Sequence, residues 1–267
     1  MGQFRTVTSR ENPAVKRLRA LAADAREARR QGRTLLDGIH LIEACLRKRG
    51  APELIIVSES GLRNREVAEL ADSLATADRI QLPDSIFRDL SEMPAPVGIL
   101  GVVAIPPEPT APIAGSCVIL DAVQDAGNVG AILRTAAAAG ITDVVLGPGC
   151  AGAWTPKVVR AGQGAHFALS IREQLDLPRL LRDCPSTSVA TVARGGIPVF
   201  DVDLAGEVAW IFGNEGAGIQ GDLIDLATFR VTIPLAADTE SLNVGAAAAV
   251  CLFEAVRQKR VARGNGK

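Results

Sequence analysis

Short, largely apolar runs alternate with stretches of helical spacing through the second half of the chain. These runs predict strands at 117–123, 142–146, 167–171, 188–193, 208–212 and 229–235. Strands that are apolar throughout and alternate with helices are typical of a parallel sheet covered on both faces. The pattern therefore predicts an α/β fold for this half, in which a ligand binds outside the carboxyl ends of the strands.

The first half shows the same two kinds of pattern on a smaller scale. Apolar residues recur at helical spacing after Pro13, and the runs 53–57 and 97–105 are typical of buried strands. Four prolines within 106–112 then form a stiff, extended linker. We predict a small α/β domain at 1–105, a linker at 106–115 and a second domain at 116–267.

Composition narrows the classes of protein that this chain can represent. It has 267 residues, 48% of them apolar and 3% aromatic, with five scattered cysteines and two histidines. No Cys-x-x-Cys occurs, so a zinc site is not expected, and free thiols suit a reducing compartment. The first residues lack an apolar signal-peptide core, and no 18-residue uncharged apolar run occurs. We therefore expect a cytoplasmic protein that spans no membrane and binds no metal.

Charge is distributed unevenly along the chain although its net value is only -1. Between Arg5 and Arg49 twelve lysines or arginines face five acidic residues, and the end of the chain adds a basic tail from Arg257 onward. Such asymmetry is typical of a surface that binds the phosphates of a nucleic acid. A solvated helix surface has the same composition, and the sequence leaves these two interpretations open.

A first polar loop follows the strand predicted at 117–123. It lies within 121–134, which reads DAVQDAGNVGAILR. Asn128 can cap the helix that follows, and Arg134 projects from the second turn of that helix. Taken alone, a capped helix with a surface arginine is the simpler interpretation.

Two more polar loops follow strands farther along. The loop within 211–218, IFGNEGAG, offers free backbone N–H groups and the Glu215 carboxylate, and its glycine spacing fits neither the dinucleotide nor the P-loop pattern. The segment 233–250, IPLAADTESLNVGAAAAV, joins a strand to an Ala-rich helix. Either Ser241 or Asn243 can be a plain helix cap, but one cap does not account for the whole polar cluster. A helix N-terminus of this kind suits a polar ligand.

One further pattern matches a known fingerprint only literally. Residues 147–152, GPGCAG, fit G-x-G-x-x-G after a strand, with Glu173 about twenty residues later. The helical pattern begins only at Pro156, so no helix N-terminus faces the glycines. A nucleotide-dependent oxidoreductase is therefore a minor alternative, and the patterns of serine hydrolases, P-loop proteins and zincins do not occur.

The three loops together resemble the three motifs of the SpoU family of RNA ribose 2′-O-methyltransferases, within the SPOUT superfamily. The matching residues are Asn128-x-Gly130-x-x-x-Arg134, Phe212-Gly213-Asn214-Glu215-Gly216, and Ile233-Pro234 through Glu240-Ser241-Leu242-Asn243-Val244. The basic stretch from Lys157 through Arg160 to Phe167 also resembles the segment between the first two motifs. The first half is similar, less specifically, to the ribosomal-protein-L30e-like substrate-binding domain of that family.

The resemblance implies a C-terminal parallel-sheet domain with a deep trefoil knot, S-adenosylmethionine as cofactor, and a homodimer that completes the active site. It implies that the catalytic site is formed by Arg134, Asn128, Glu215, Ser241 and Asn243. It implies that the cofactor site is formed by Gly213, Asn214, Gly216, Ile233, Leu235, Leu242 and Asn243. The substrate is then a ribosomal or transfer RNA.

Methyl transfer to a ribose hydroxyl requires alignment of the reacting groups and removal of a proton. A guanidinium stays protonated in proteins, so Arg134 is better suited to orienting the hydroxyl and a phosphate than to acting as a base. The alternative function is a non-catalytic RNA-binding or ribosome-assembly factor with the same fold.

Overall fold

A computed structural model describes residues 4–23, 25–74, 77–236 and 239–264, which form two compact units. One unit comprises the described residues up to Pro107 together with Trp154–Phe167, and the other comprises Glu108–Ala153 and the described residues from Ala168 onward. Trp154–Phe167 lies in the range predicted for the C-terminal domain, and this is a departure from the predicted boundaries. Across the described ranges, no helix is both long enough and apolar enough to cross a membrane.

The first unit contains a five-stranded mixed sheet in the order β1-β4-β3-β5-β2. Its strands are β1 (Arg5–Thr6), β2 (Arg33–Asp37), β3 (Leu54–Ser58), β4 (Asp78–Leu82) and β5 (Ile99–Ala104). Its first five helices are α1 (Pro13–Ala23), α2 (Ala25–Gln31), α3 (Ile39–Arg49), α4 (Arg65–Ser73) and α5 (Asp84–Phe87). The sequence did not predict β1, because two residues are too short to show a period.

Helix α1 covers one face of this sheet for the reason that its sequence indicates. Val15, Leu18 and Leu21 recur at helical spacing and are all buried. They join a core cluster that includes Ile56 of β3 and Ile80 of β4. Burial of this apolar stripe orients the charged residues of α1 away from the sheet.

The second unit contains a seven-stranded sheet in the order β10-β12-β9-β11-β6-β7-β8, and every strand pair is parallel. The strands are β6 (Cys117–Asp121), β7 (Asp143–Leu146), β8 (Ser170–Glu173), β9 (Thr187–Thr191), β10 (Ile197–Pro198), β11 (Val208–Gly213) and β12 (Phe229–Thr232). The later helices are α6 (Ala126–Ala138), α7 (Pro156–Gly162), α8 (Leu177–Asp183), α9 (Gly221–Leu226) and α10 (Val244–Gly264), and of these α7 belongs to the first unit.

The parallel α/β sheet predicted for this half is confirmed. Every residue of β6 and of β11 is buried, as expected for central strands with helices on both faces. Several predicted strand ends are wrong by one to three residues, and among them β12 ends at Thr232 and not at Leu235. Pro234 has no N–H to donate to a strand ladder, and it restricts the residue before it. The chain therefore leaves the sheet early, and 233–236 becomes free to line a pocket.

Candidate functional site

A pocket of about 690 Å³ lies at the carboxyl ends of β9, β11 and β12. It brings together nine residues that the sequence indicated: Gly213, Asn214, Glu215, Gly216, Ile233, Leu235, Ser241, Leu242 and Asn243. Asn128 and Arg134 do not line it. The position agrees with the rule that open parallel sheets bind ligands beyond their strand ends.

The wall after β11 is a tight loop that depends on a glycine. Its backbone pairs Asn214 with Gly218 in an isolated bridge. A Cβ on Gly213 would lie 2.4 Å from the Gly218 carbonyl carbon and from the Ile219 nitrogen, so no side chain fits there. The Asn214 side chain holds the turn from inside, because its Oδ1 accepts the N–H groups of Gly216 and Ala217 at 2.9 Å each.

Two side chains fasten this loop to the chain that leaves β6. Asn214 Nδ2 donates to the Ala122 carbonyl oxygen at 2.8 Å. The Asp121 carboxylate, only 2% exposed, accepts the Gln220 N–H at 2.7 Å and the Gln220 side-chain amide at 2.9 Å. Sequence reasoning did not single out Asp121. Its position as the last residue of a buried strand, where a carboxylate needs partners, is the signal that could have found it.

A carboxylate and two amides connect the three predicted loops. Asn128 Nδ2 donates to Glu215 Oε1 at 2.8 Å, and Asn243 Nδ2 donates to Asn128 Oδ1 at 2.8 Å. The prediction that Asn128 caps α6 is wrong, because Asp125 holds that position and accepts the Asn128 N–H at 2.8 Å. The Asn128 side chain is therefore free to link the second loop to the third.

The connection ends at the N-terminus of α10. Asn243 Oδ1 accepts the N–H groups of Gly245 at 2.9 Å and Ala246 at 3.2 Å. Of the two caps that the sequence left open, Asn243 is the one observed. Asn243 caps the helix with its side-chain oxygen and donates to Asn128 with its side-chain nitrogen. It is therefore both a helix cap and a member of the polar cluster.

Glu215 is the acidic end of this connection. Partial burial raises the pKa of its carboxyl, but hydrogen bonds from the Asn128 side chain and from backbone N–H groups, including those of Gln124 and Asp125, outweigh burial and hold the pKa below its ordinary value. Glu215 is therefore ionised at neutral pH. A fixed negative charge at the pocket favours a cationic ligand group.

Arg134 stands apart from this connection. It lies on the exposed side of α6, six residues beyond Asn128. Among the residues that the structure describes, its guanidinium has no hydrogen bond or ion pair. Within one chain, therefore, the predicted catalytic arginine does not join the other predicted site residues.

The pocket also contains a segment that sequence reasoning missed. Residues 191–194, at the end of β9, form part of its wall and include the exposed Arg194. A strand was predicted here and two glycines follow it. Its relevance depends on the sheet order, since β9 lies between β11 and β12 and so ends between the second and third loops.

The literal dinucleotide pattern at 147–152 does not run directly into a helix. Helix α7 begins at Pro156, as the sequence predicted, and belongs to the first unit. There Arg160 pairs with Glu92 at 3.8 Å, and the buried His166 stacks edge-on against Trp154 with ring centroids 5.1 Å apart. In the structure these residues act in packing within the first unit.

The pocket fits S-adenosylmethionine by size and by chemistry. Its volume lies in the range of cofactor sites. Leu235, Leu242 and Ile219 offer apolar surface for an adenine, and the loop backbones offer N–H and carbonyl groups. Glu215 and Glu240 supply the negative charge that a sulfonium requires.

Comparison with known proteins gives the same assignment for both halves of the chain. The family model described as the SpoU rRNA Methylase family matches residues 115–253. The model described as the MRM3-like substrate binding domain matches residues 12–101.

Individual relatives match over nearly the whole chain. The 23S rRNA (guanosine(2553)-2′-O)-methyltransferase RlmP of Bacillus subtilis is 31% identical over 254 residues, which cover 94% of this chain and 98% of that protein. The SpoU methyltransferase AviRb of Streptomyces viridochromogenes, solved with AdoMet, superposes with a TM-score of 0.83 at 25% identity and covers 94% of this chain and 99% of that one. The AdoMet-bound rRNA methyltransferase of Sinorhizobium meliloti has a TM-score of 0.80 at 28% identity and covers 96% and 98%.

Proposed function

Because the chain belongs to the SpoU rRNA Methylase family, we propose that it is an enzyme that transfers a methyl group from S-adenosylmethionine to a ribose 2′-hydroxyl of ribosomal RNA. The observation that carries this proposal is the hydrogen-bonded connection of Glu215, Asn128 and Asn243 beside a pocket of cofactor size. It joins all three motif loops in one site. Ribosomal RNA is the preferred substrate because the relatives from Bacillus subtilis and Sinorhizobium meliloti are named as rRNA methyltransferases.

The residues divide the work between holding the cofactor and orienting the nucleophile. The cofactor, when bound, supplies a methyl group activated by a sulfonium. Gly213, Ile233 and Leu242 would hold it through their backbones, together with the side chains of the same loops. The ionised Glu215 balances the positive charge, and Asn128 and Asn243 keep that carboxylate fixed. The fixed carboxylate favours binding of the cationic cofactor, and rigid loops keep its methyl group aligned for transfer.

Arg134 is supplied to this site by a second copy of the chain in the proposed homodimer. Support comes from its place outside its own pocket and from two large apolar side chains that stay exposed, Leu242 of the pocket wall at 38% and Phe253 of α10 at 48%. The trefoil knot remains a prediction for the same segment of chain.

Mixed dimers test the contribution of the second copy. Arg134→Ala has an intact pocket, and Gly213→Ala has an intact arginine. If the arginine acts across the dimer, co-refolding the inactive Arg134→Ala with the weakly binding Gly213→Ala restores one working site in each mixed dimer, at a cofactor concentration too low for Gly213→Ala alone. If mixing restores no activity while mass spectrometry shows that mixed dimers have formed, the arginine acts within its own chain or not at all.

The reaction itself is tested with ribosomal RNA from a strain that lacks this protein. Labelled methyl from S-adenosylmethionine should appear on one ribose, located by nuclease mapping, and Arg134→Ala should abolish the label while cofactor binding by calorimetry survives. Cofactor binding without transfer to free RNA, to ribosomal subunits or to assembly intermediates would favour the non-catalytic RNA-binding factor. Absence of both would refute the proposal.

Each predicted domain has its own role in this proposal. Residues 1–105 hold the RNA, 106–115 link the domains, and 116–267 carry the reaction, with Trp154–Phe167 packed in the first unit. The proposed place of action is the cytoplasm, which is consistent with five cysteines that are all free.

A further inference from the structure

The basic stretch at the start of the chain is largely neutralised by its own neighbours. Six of its twelve cations form ion pairs: Arg10 and Arg19 with Asp89, Lys16 with Glu11, Arg30 with Glu27, Arg33 with Glu53, and Arg47 with Glu43. Arg26 and Arg29 also have partners. The total charge of the stretch therefore overstates what is available to a ligand.

Two of the remaining cations share one cavity. Arg5 of β1 and Arg17 of α1 both line a cavity of about 690 Å³ in the first unit. Both are exposed, and within the described ranges neither side chain makes a hydrogen bond or an ion pair. The other two, Lys48 and Arg49, end α3 and do not line this cavity.

The fold explains how these two arginines come to face the same space. Arg5 pairs with Ile80 across the β1–β4 ladder, and partners in a ladder point to the same face of the sheet. Ile80 packs in the cluster that buries α1, so Arg5 emerges on the α1 side. Arg17 follows the buried Val15 and precedes the buried Leu18, which places it at the edge of the helix stripe.

Acidic groups limit the charge of this cavity. Arg33 and Glu53 also line it, but their ion pair at 2.6 Å makes them neutral together. Asp78 lines it too and is exposed, two residues before Ile80 on the same face. Arg79 lines it as well, but its buried guanidinium lies over the Phe4 ring and pairs with Asp72 at 3.8 Å. With both ion pairs neutral, the cavity has a net charge of about +1, enough for one phosphodiester and not for a cluster of phosphates.

We propose that this cavity binds one phosphodiester of the RNA substrate, with Arg5 and Arg17 as the contacting groups and Asp78 as an opposing charge that weakens the contact. The RNA as ligand rests on the proposed function. The site lies in the unit that carries no part of the cofactor pocket, so it sets affinity for RNA and not the rate of methyl transfer.

The test measures binding of labelled ribosomal RNA from the deletion strain by filter retention, as a function of potassium chloride. The double variant R5A/R17A should raise Kd roughly tenfold and reduce the slope of log K against log salt by about 0.7 to 0.9, the contribution of one phosphate contact. Asp78→Asn should move Kd the opposite way, lowering it by roughly two- to threefold. Effects of opposite sign at one cavity cannot come from general damage to the fold.

A matched control removes the same charge elsewhere. R30A/R65A also deletes two exposed arginines, each bonded to a glutamate on its own helix, and neither lines the cavity. Its Kd should stay within about twofold of the wild type, as for other exposed ion pairs. Cofactor binding by calorimetry should be unchanged in every variant.

The proposal is overturned if R5A/R17A binds RNA like the control, or if Asp78→Asn weakens binding. It is also overturned if inorganic phosphate binds the cavity while Kd for RNA is the same in the wild type, R5A/R17A and Asp78→Asn. Because RNA binding is measured without turnover, failure of methyl transfer alone would count against the enzyme function and not against this site.

Discussion

Gly213→Ala tests whether the cofactor wall depends on one missing side chain. The new Cβ would lie 2.4 Å from the Gly218 carbonyl carbon and the Ile219 nitrogen, on the opposite side of the loop, whereas ordinary contact begins at 3.4 Å. The loop that ends at Ile219 must therefore retreat by about 1 Å. Both of its fastenings, Asn214 to Ala122 and Gln220 to Asp121, resist this movement.

The cost can be bounded from the geometry. Overpacking against backbone that cannot relax freely costs about 1–3 kcal/mol. If the cost falls on the bound state, Kd for S-adenosylmethionine rises roughly 5- to 150-fold, since each 1.4 kcal/mol is tenfold. Glu215 moves with the loop, so methyl transfer should fall at least as much as binding does.

Calorimetry of S-adenosylmethionine binding provides the measurement, and Gly221→Ala provides the control. Gly221 begins α9 and does not line the pocket, and a Cβ there would meet nothing within 4 Å, so this variant should bind within about twofold of the wild type. Equal affinities for the two variants would refute the argument. So would normal binding by Gly213→Ala with a normal free energy of unfolding.

Three further predictions concern buried or titrating groups. Asp121→Asn replaces an acceptor of two Gln220 hydrogen bonds with a group that has one acceptor oxygen, so chemical denaturation should show a loss of about 1–3 kcal/mol in unfolding free energy. The folded-state pKa of Glu215 is depressed, so its carboxylate stays ionised and bonded to Asn128 at every pH above the ordinary carboxyl pKa. This stabilisation is lost as the pH falls through the folded-state pKa. Cofactor affinity should therefore stay level from about pH 8 to 5 and fall only below, and a decline already at pH 6 would contradict this. A hydrogen bond from the buried Cys117 thiol lowers the pKa of Cys184 to about 6 despite partial burial. After brief iodoacetamide treatment at pH 7, peptide mapping should therefore find Cys184 alkylated before the other cysteines.

The sequence predicted the architecture because the central strands carry strong, local signals. Residues 117–120 and 208–212 are apolar throughout, and a strand buried on both faces leaves few other residues possible. Strand ends were less certain, since the exit of the chain near Pro234 depends on one residue and not on a period. Residues 197–198 form a strand only because an edge next to β12 is available to them.

The sequence predicted which residues belong to the candidate site better than it predicted the hydrogen bonds between them. The second and third motif loops supplied nine residues of the pocket wall, because both loops follow strand ends. The sequence could not show whether Asp125 or Asn128 caps α6, because both residue types cap helices. Only the fold shows that the Asn128 side chain has another partner, Glu215. Residues 191–194 were missed because sheet order is a long-range property.

The pocket wall has a consequence for how the protein and its cofactor depend on each other. Its residues come from four separate segments between Thr191 and Cys251, and they converge only when β9, β11 and β12 lie side by side. An unfolded chain therefore has no partial site to offer, and the cofactor binds the native state alone. At a hundred times its Kd, the cofactor adds about 2.7 kcal/mol to the unfolding free energy. The concentration of the methyl donor thus influences the stability of the folded enzyme as well as its turnover.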